Sequence, residues 1–345
     1  MGKKRNKILL AGFEIGGQMQ LLVETFRKKG FDATSMAFNK DYMNFQNDRY
    51  IPHHKIGKRF LFFIYALRQY QIFHFFWGVS LISFSKYHLL DLPVLKLFGK
   101  KVFPHFRGSD IMSEAYSNNL LLFDKKKQNI NFSNSTQKKR IHRWKKYATR
   151  TLVSTPNLLE IDRSFLLSPQ VIDIDYWKTN KKPLSNEDGI IRIVHAPSNK
   201  LKKGTNSLEN AVASLQNKGY KIELILAEKI DSKLMKALYE KADIGVDQLY
   251  YGWHGKVSCE LMALEKPVIC YIDEKYNTHN RDLPFVNATI YTLEERIEEL
   301  LLDKKLRHAI GEKSRTYVET YHDVNKEADN LLRMYGLLQP SKQNT

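Results

Sequence analysis

The chain has 345 residues, 43% hydrophobic and 27% charged, with 55 Lys+Arg against 37 Asp+Glu and a formal net charge of +18. This composition excludes a disordered or fibrous protein, and the length suits two domains rather than one core. Two cysteines, Cys259 and Cys270, exclude a disulfide scaffold and fit a reducing compartment.

In chain order, residues 7–12 (KILLAG) read as a short buried strand. Gly16 and Gly17 follow, then a helix over 18–29 closed by Gly30, and a second strand over 32–37. The apolar stretch 60–84 is broken by Arg68, Gln69, Gln71 and His74, so no transmembrane segment is expected. The run 8–11 is far shorter than a signal-peptide core, and the expected location is the cytoplasm. Buried strands are expected at 72–76 (IFHFF) and 101–106 (KVFPHF), with a helix over 87–98 between them. Strands at 151–154 and 170–174 complete this set. The segment 129–146 is basic and reads as an exposed loop entering a helix.

The polar stretch 184–189 reads as a linker. Strands restart at 190–195, 221–227, 243–247, 267–272 and 288–291, and Thr292 with Glu295 reads as a capping box for a helix through 303. Strands alternating with helices imply parallel sheets with crossover helices, in two tandem α/β units. Ligands of such sheets bind beyond the carboxyl ends of the strands, which predicts a cleft between two facing units.

The charge is unevenly placed. Residues 1–185 hold 32 Lys+Arg and 13 Asp+Glu, a net of +19, and the remainder nets −1. The basic half fits an anionic partner such as a membrane surface, nucleic acid or acidic polymer, or a plain solubility surface.

Four motifs carry candidate chemistry. Gly12 to Gly17 follows the first strand and is either a phosphate-approach loop or a tight turn; it is not a dinucleotide fingerprint. His105, Arg107 and Asp110 crowd the end of a buried strand, as cleft chemistry or as an Arg107–Asp110 salt bridge. His195 to Thr205 brings Lys200, Lys202, Lys203 and Gly204 to a helix start, a cradle for diphosphate or a solvated basic loop. Tyr251 to Val268 places two glycines before a helix carrying Glu260, which can accept hydrogen bonds from vicinal ribose hydroxyls or stand as a surface glutamate. No metal signature is read: His53 and His54 are adjacent, the cysteines lack zinc spacing, and His142 and His322 are taken as surface residues.

Taken in order, these motifs resemble the family 4-type glycosyltransferases of GT-B fold, in a bacterial surface-glycan branch. The resemblance covers nearly the whole chain. It runs through Asp91-Leu92-Pro93, Arg107-Gly108-Ser109-Asp110, Ser154-Thr155-Pro156-Asn157, the 195–205 loop and the segment 246–268. It implies two Rossmann-like parallel-sheet domains facing a central cleft: an acceptor domain over 1–183, a donor domain over 184–322, and a segment 323–345 that crosses back as a helix and ends in a polar tail. It implies retaining, metal-independent transfer from a UDP-, GDP- or ADP-linked sugar, with no permanently bound cofactor, to a glycan or lipid-linked acceptor in polysaccharide biosynthesis. Lys203, helped by Lys200, would neutralise the departing diphosphate, and His105, Arg107 and Asp110 would serve the reacting end. Gly16, Gly17, Ser198, Gly204, Asp247, Gln248, Gly252, Trp253, His254, Gly255 and Glu260 would hold the donor.

The chain departs from the family at three positions. Gly252 stands where the first of two glutamates is common, Arg107 where a histidine is common, and Glu265 where a helix-ending glycine is usual. The first two departures motivate an alternative, a non-catalytic nucleotide- or glycan-binding subunit. A nucleic-acid binder ranks last, because only the charge supports it. The basic half, with Tyr65, Arg68, Lys138, Lys139, Arg140, Arg143, Trp144, Lys145 and Lys146, is expected to meet an anionic membrane, at the inner face of the cytoplasmic membrane.

Overall fold

The computed structural model describes residues 6–40, 44–83, 89–108, 110–112, 134–179, 188–277 and 281–339. They divide into two compact units. One takes the described residues up to 112, those of 134–169 and those from 324 onward, and the other takes 170–323.

The first unit contains β1 (Ile8–Gly12), α1 (Gln18–Lys28), β2 (Ala33–Ala37), β3 (Arg49–Tyr50), α2 (Ile56–Gln69), β4 (Ile72–Phe76), α3 (Asp91–Leu97), β5 (Lys101–Phe106), α4 (Asn134–Tyr147), β6 (Leu152–Val153) and β7 (Leu166–Leu167). Its seven strands are all parallel, in the order β3-β2-β1-β4-β5-β6-β7. β1 and β4 are buried along their whole length. That is why both read as unbroken apolar runs: a parallel sheet is covered on both faces. α1 buries Met19, Leu22, Val23 and Phe26, the spacing of a single helical stripe. The C-terminal helix, Val324–Met334, packs on α1 and buries Val324, Ala328, Leu331 and Leu332.

The second unit contains β8 (Ile191–His195), α5 (Lys200–Lys203), α6 (Thr205–Asn217), β9 (Ile222–Leu226), α7 (Ser232–Lys241), β10 (Ile244–Val246), α8 (Lys256–Ala263), β11 (Val268–Cys270), β12 (Phe285–Asn287), α9 (Leu293–Leu302) and α10 (Lys304–Tyr321). Its five parallel strands run β12-β11-β10-β8-β9. Ile193, Leu208, Leu215, Ile244, Val246, Ile297 and Leu300 form its core.

Several sequence expectations are corrected here. Residues 170–174 form no strand; Ile172 makes a lone parallel bridge to Asp323, and the sheet edge is Leu166–Leu167. The last strand lies at Phe285–Asn287, because 289–292 are held in a turn in which the Thr292 hydroxyl accepts from the Thr289 N–H at 3.1 Å. Thr292 therefore makes no capping box. His322 is 3% exposed and not a surface residue. Trp144 is fully buried, stacks near Phe75 and donates to the Gly78 carbonyl at 3.2 Å, so it fastens α4 to the core and faces no membrane. The linker segment 184–189 falls mostly outside the described residues, as does Ser109.

Glu265, just past α8, is left-handed with φ 57°, a conformation that costs a side-chain-bearing residue about 1 kcal/mol. Gly311 of α10 packs so closely that a Cβ there would lie 2.1 Å from the Glu265 carbonyl oxygen. Glu265→Gly is expected to raise stability by about 0.5–1 kcal/mol. Gly311→Ala is expected to lower it by about 1–3 kcal/mol. Denaturant unfolding of the full chain checks both.

Candidate functional site

In a parallel sheet the strand order reverses once, and the loops at that point diverge to leave a crevice at the carboxyl ends of two strands. In the second unit that point lies between β8 and β10. Here His195 Nδ1–H donates to the Val246 carbonyl at 2.8 Å, and its Nε2 accepts from the Thr205 hydroxyl at 2.9 Å. Burial holds this imidazole below its ordinary range, so it is a neutral brace between the two strands and the start of α6.

The next residue after β10 is Asp247, 2% exposed. Its carboxylate accepts from Lys203 Nζ at 3.0 Å, the Gly255 N–H at 2.8 Å and the Ser258 hydroxyl at 2.7 Å. Burial alone would raise its pKa, but Lys203, Ser258 and Gly255 outweigh burial and hold it at about 2. Lys203 also donates to Gln248 Oε1 at 2.5 Å. The ammonium is thus fixed beside the N-terminus of α6, where Gly204 is left-handed at φ 82° and no side chain caps the helix. A Cβ at Gly255 would lie 2.9 Å from Asp247 Oδ2 and 3.4 Å from Lys203 Nζ, so only glycine fits that approach. Lys203, Gly204, Asp247, Gln248 and Gly255 are therefore brought together.

Other expected donor residues lie differently. Lys200 pairs with Glu228 at 2.6 Å on the exposed face, and Ser198 is exposed. Glu260 is buried and paired with Lys256 one turn earlier on α8. Burial raises its pKa, and Lys256 opposes that rise. Trp253 and His254 are buried, and His254 is directed at Cys259 and Tyr317. The Gly252 carbonyl accepts from the Asp273 N–H at 3.0 Å.

In the first unit the reversal lies between β1 and β4. Gly16 and Gly17 lead into α1, but the helix start is already filled. The buried Glu14 carboxylate accepts from the N–H groups of Ile15, Met19 and Gln20 at 2.9, 3.2 and 3.1 Å. An anion at a helix N-terminus is what that site favours, and here the chain supplies its own. Trp77, at the end of β4, is left-handed with φ 66°.

His105 is also spent internally. Its Nε2–H donates to the Ser168 carbonyl at 3.0 Å, which leaves Nδ1 to accept from His74 Nε2–H at 3.1 Å. His74 Nδ1 in turn accepts from the Tyr335 hydroxyl. Neither ring nitrogen of His105 remains for a ligand. Asp110 makes no salt bridge to Arg107; its carboxylate accepts from the backbone N–H groups of Arg107 and Gly108 at 3.0 and 2.8 Å, and burial lifts it to about 6. Arg107 stacks over Phe76 at 4.7 Å, with Nε and Nη2 buried and unpartnered among the described residues. Of the three, Arg107 alone keeps donors for a ligand.

The roles of Glu14, Thr205 and Ser258 were missed in the sequence. The signal for Glu14 was present, a carboxylate between a buried strand and a helix start. Ser258 and Thr205 carry no signal apart from their partners.

No family model and no curated protein matches the sequence. Solved structures do match the fold over almost the whole chain. The sucrose-phosphate synthase of Thermosynechococcus elongatus is 14% identical, with 96% of this chain and 98% of that one covered and a TM-score of 0.66. The catalytic domain of Arabidopsis thaliana starch synthase IV, bound to ADP and acarbose, is 11% identical, covering 96% and 99% with a TM-score of 0.60. A TarM variant from S. aureus, in complex with fondaparinux, α-GlcNAc-glycerol and UDP, is 10% identical, covering 96% and 99% with a TM-score of 0.60. These neighbours are GT-B glycosyltransferases, and the chain has the GT-B fold, with one parallel α/β sheet in each unit.

Removing the carboxylate under Lys203 strands a largely buried ammonium. Asp247→Asn is expected to cost about 3 kcal/mol of stability. Chemical denaturation near neutral pH measures it.

Proposed function

We propose that this protein is a glycosyltransferase that binds a nucleotide-activated sugar in its second unit, with Lys203 as the counter-charge for the donor diphosphate. The observation that carries this reading is the Lys203 ammonium, fixed by Asp247 and Gln248 at the β8/β10 reversal beside the uncapped start of α6. Solved complexes of fold neighbours that hold UDP or ADP support it.

In the proposed reaction an acceptor hydroxyl oxygen bonds to the anomeric carbon and gives up its proton, the bond between the sugar and the phosphate breaks, and negative charge grows on the departing diphosphate. A preorganised ammonium in a low-dielectric site stabilises that charge, usually a large catalytic term. The transfer step is read as retaining and metal-independent, to a glycan or lipid-linked acceptor in surface-polysaccharide synthesis. Arg107, with two unpaired donors, is the candidate contact in the first unit. With Gly252 in place of a carboxylate, the sugar hydroxyls are left to backbone groups of the loop before α8. Glu260 would hold the ribose by sharing its carboxylate between Lys256 and the hydroxyls.

The experiment is calorimetry and product release with a panel of UDP-, GDP- and ADP-sugars, on wild type, Lys203→Ala and Glu260→Gln. One nucleotide is expected to bind and its sugar to be released or transferred. Lys203→Ala should weaken binding by about 10–100-fold, the worth of one charge-assisted contact. If an active wild type is matched by both variants, the site assignment is wrong. Binding without turnover across all donors and acceptors would instead make the protein a non-catalytic subunit.

The basic half is read as meeting an anionic membrane. Supporting this, Lys138, Lys139, Arg143 and Lys146 of α4 are exposed, and α3 beside it ends on Leu97 at 82% exposure, followed by Phe98 at 59%. No helix among the described residues is long and apolar enough to cross a membrane. Co-sedimentation with anionic vesicles that survives moderate salt is the expected outcome; no binding to them at low salt would remove the membrane from the reading.

A further inference from the structure

The second unit holds a buried cluster of soft ligands that sugar transfer does not use. His254 lies in the loop between β10 and α8, Cys259 on α8, and His322 just past α10. Each offers one ligand atom, and the three atoms lie within 4.8 Å of one another. Cys259 Sγ is 3.7 Å from His254 Nδ1. A tetrahedral zinc ion with Zn–S of ~2.3 Å and Zn–N of ~2.0 Å sets sulfur and nitrogen about 3.5 Å apart.

The outer contacts agree with ligation. His322 Nδ1–H donates to the Gln170 carbonyl at 2.8 Å, which places the lone pair on Nε2. That Nε2 is buried and has no hydrogen-bond partner among the described residues. A metal-bound imidazole commonly anchors its other N–H on a backbone carbonyl in this way. His254 directs its second nitrogen, Nε2, toward the Tyr317 hydroxyl at 3.4 Å. Asp247 faces His254 and Cys259 and offsets a bound cation, whereas Arg281 faces both histidines and opposes it.

We propose that His254, Cys259 and His322 bind a zinc ion, with a water completing its tetrahedron, and that this ion staples the loop before α8 to the end of α10. Binding converts the Cys259 thiol to a zinc-bound thiolate and releases its proton to solvent. The staple would hold the Gly255 N–H in place against Asp247, since His254 is the preceding residue.

The test uses the full chain, purified without a polyhistidine tag. Elemental analysis is expected to find about one zinc per chain. Cobalt(II) replacing zinc should give a thiolate-to-cobalt charge-transfer absorption that is lost in Cys259→Ser. His322→Gln should weaken cobalt binding by about tenfold or more. Chelation should lower the melting temperature of wild type and leave that of either variant unchanged. A wild-type chain with no zinc and no cobalt–thiolate absorption overturns the proposal, and that measurement needs no variant to fold. Zinc retained undiminished in both variants overturns it as well.

Discussion

The second unit is organised around one buried carboxylate. Asp247 has four elements depending on it: β10, which it ends; α5, through Lys203; the loop before α8, through the Gly255 N–H; and α8 itself, through Ser258. A buried anion is costly unless every lone pair is met, and here an ammonium, an amide and a hydroxyl meet it. The consequence is a cation whose position is set before any ligand arrives. Preorganisation of that kind is what makes an ammonium useful against a phosphate, because no reorganisation is needed when charge develops.

The first unit uses the same economy for a different end. Tyr335, His74, His105, Ser168 and Glu327 form a continuous buried chain of hydrogen bonds. It links β4 and β5 to the last helix and to the residue after it. Glu327, lifted to about 7 by burial, accepts from the Ser168 hydroxyl at 2.5 Å. The polar groups of this network are therefore satisfied among themselves, so they fix the C-terminal helix and take up none of the open donors of Arg107.

Much of this was legible in the sequence. β1, β4, β5 and β8 were readable because parallel strands buried on both faces are plain apolar runs, as in Ile72–Phe76. The two-residue strands β3 and β7 were hard to read or place, because so short a segment carries no period, whereas β6 lay inside the expected strand at 151–154. The last strand was misplaced because Ala288 is buried whereas β12 before it is only partly so, and a buried residue outside a strand looks in sequence like one inside it. Lys203, Asp247 and Gln248, singled out through the order of their motifs, lie in mutual contact. His105 was misread because a histidine at a strand end looks the same whether its nitrogens face a ligand or His74 and Ser168. Trp144 was misread because an aromatic among lysines gives no sign of which face of its helix is covered.

The two helix starts at the strand-order reversals have opposite electrostatic states. α1 begins on Glu14, which already occupies the N–H groups of its first turn. α6 begins on Gly204, with no side chain in that position. Two units built on related sheets are thereby made unequal: one is already neutralised, and the other still holds an attractive field for an incoming anion. A single carboxylate can in this way assign polarity to a pseudo-duplicated fold, without any difference in its topology at the point of entry.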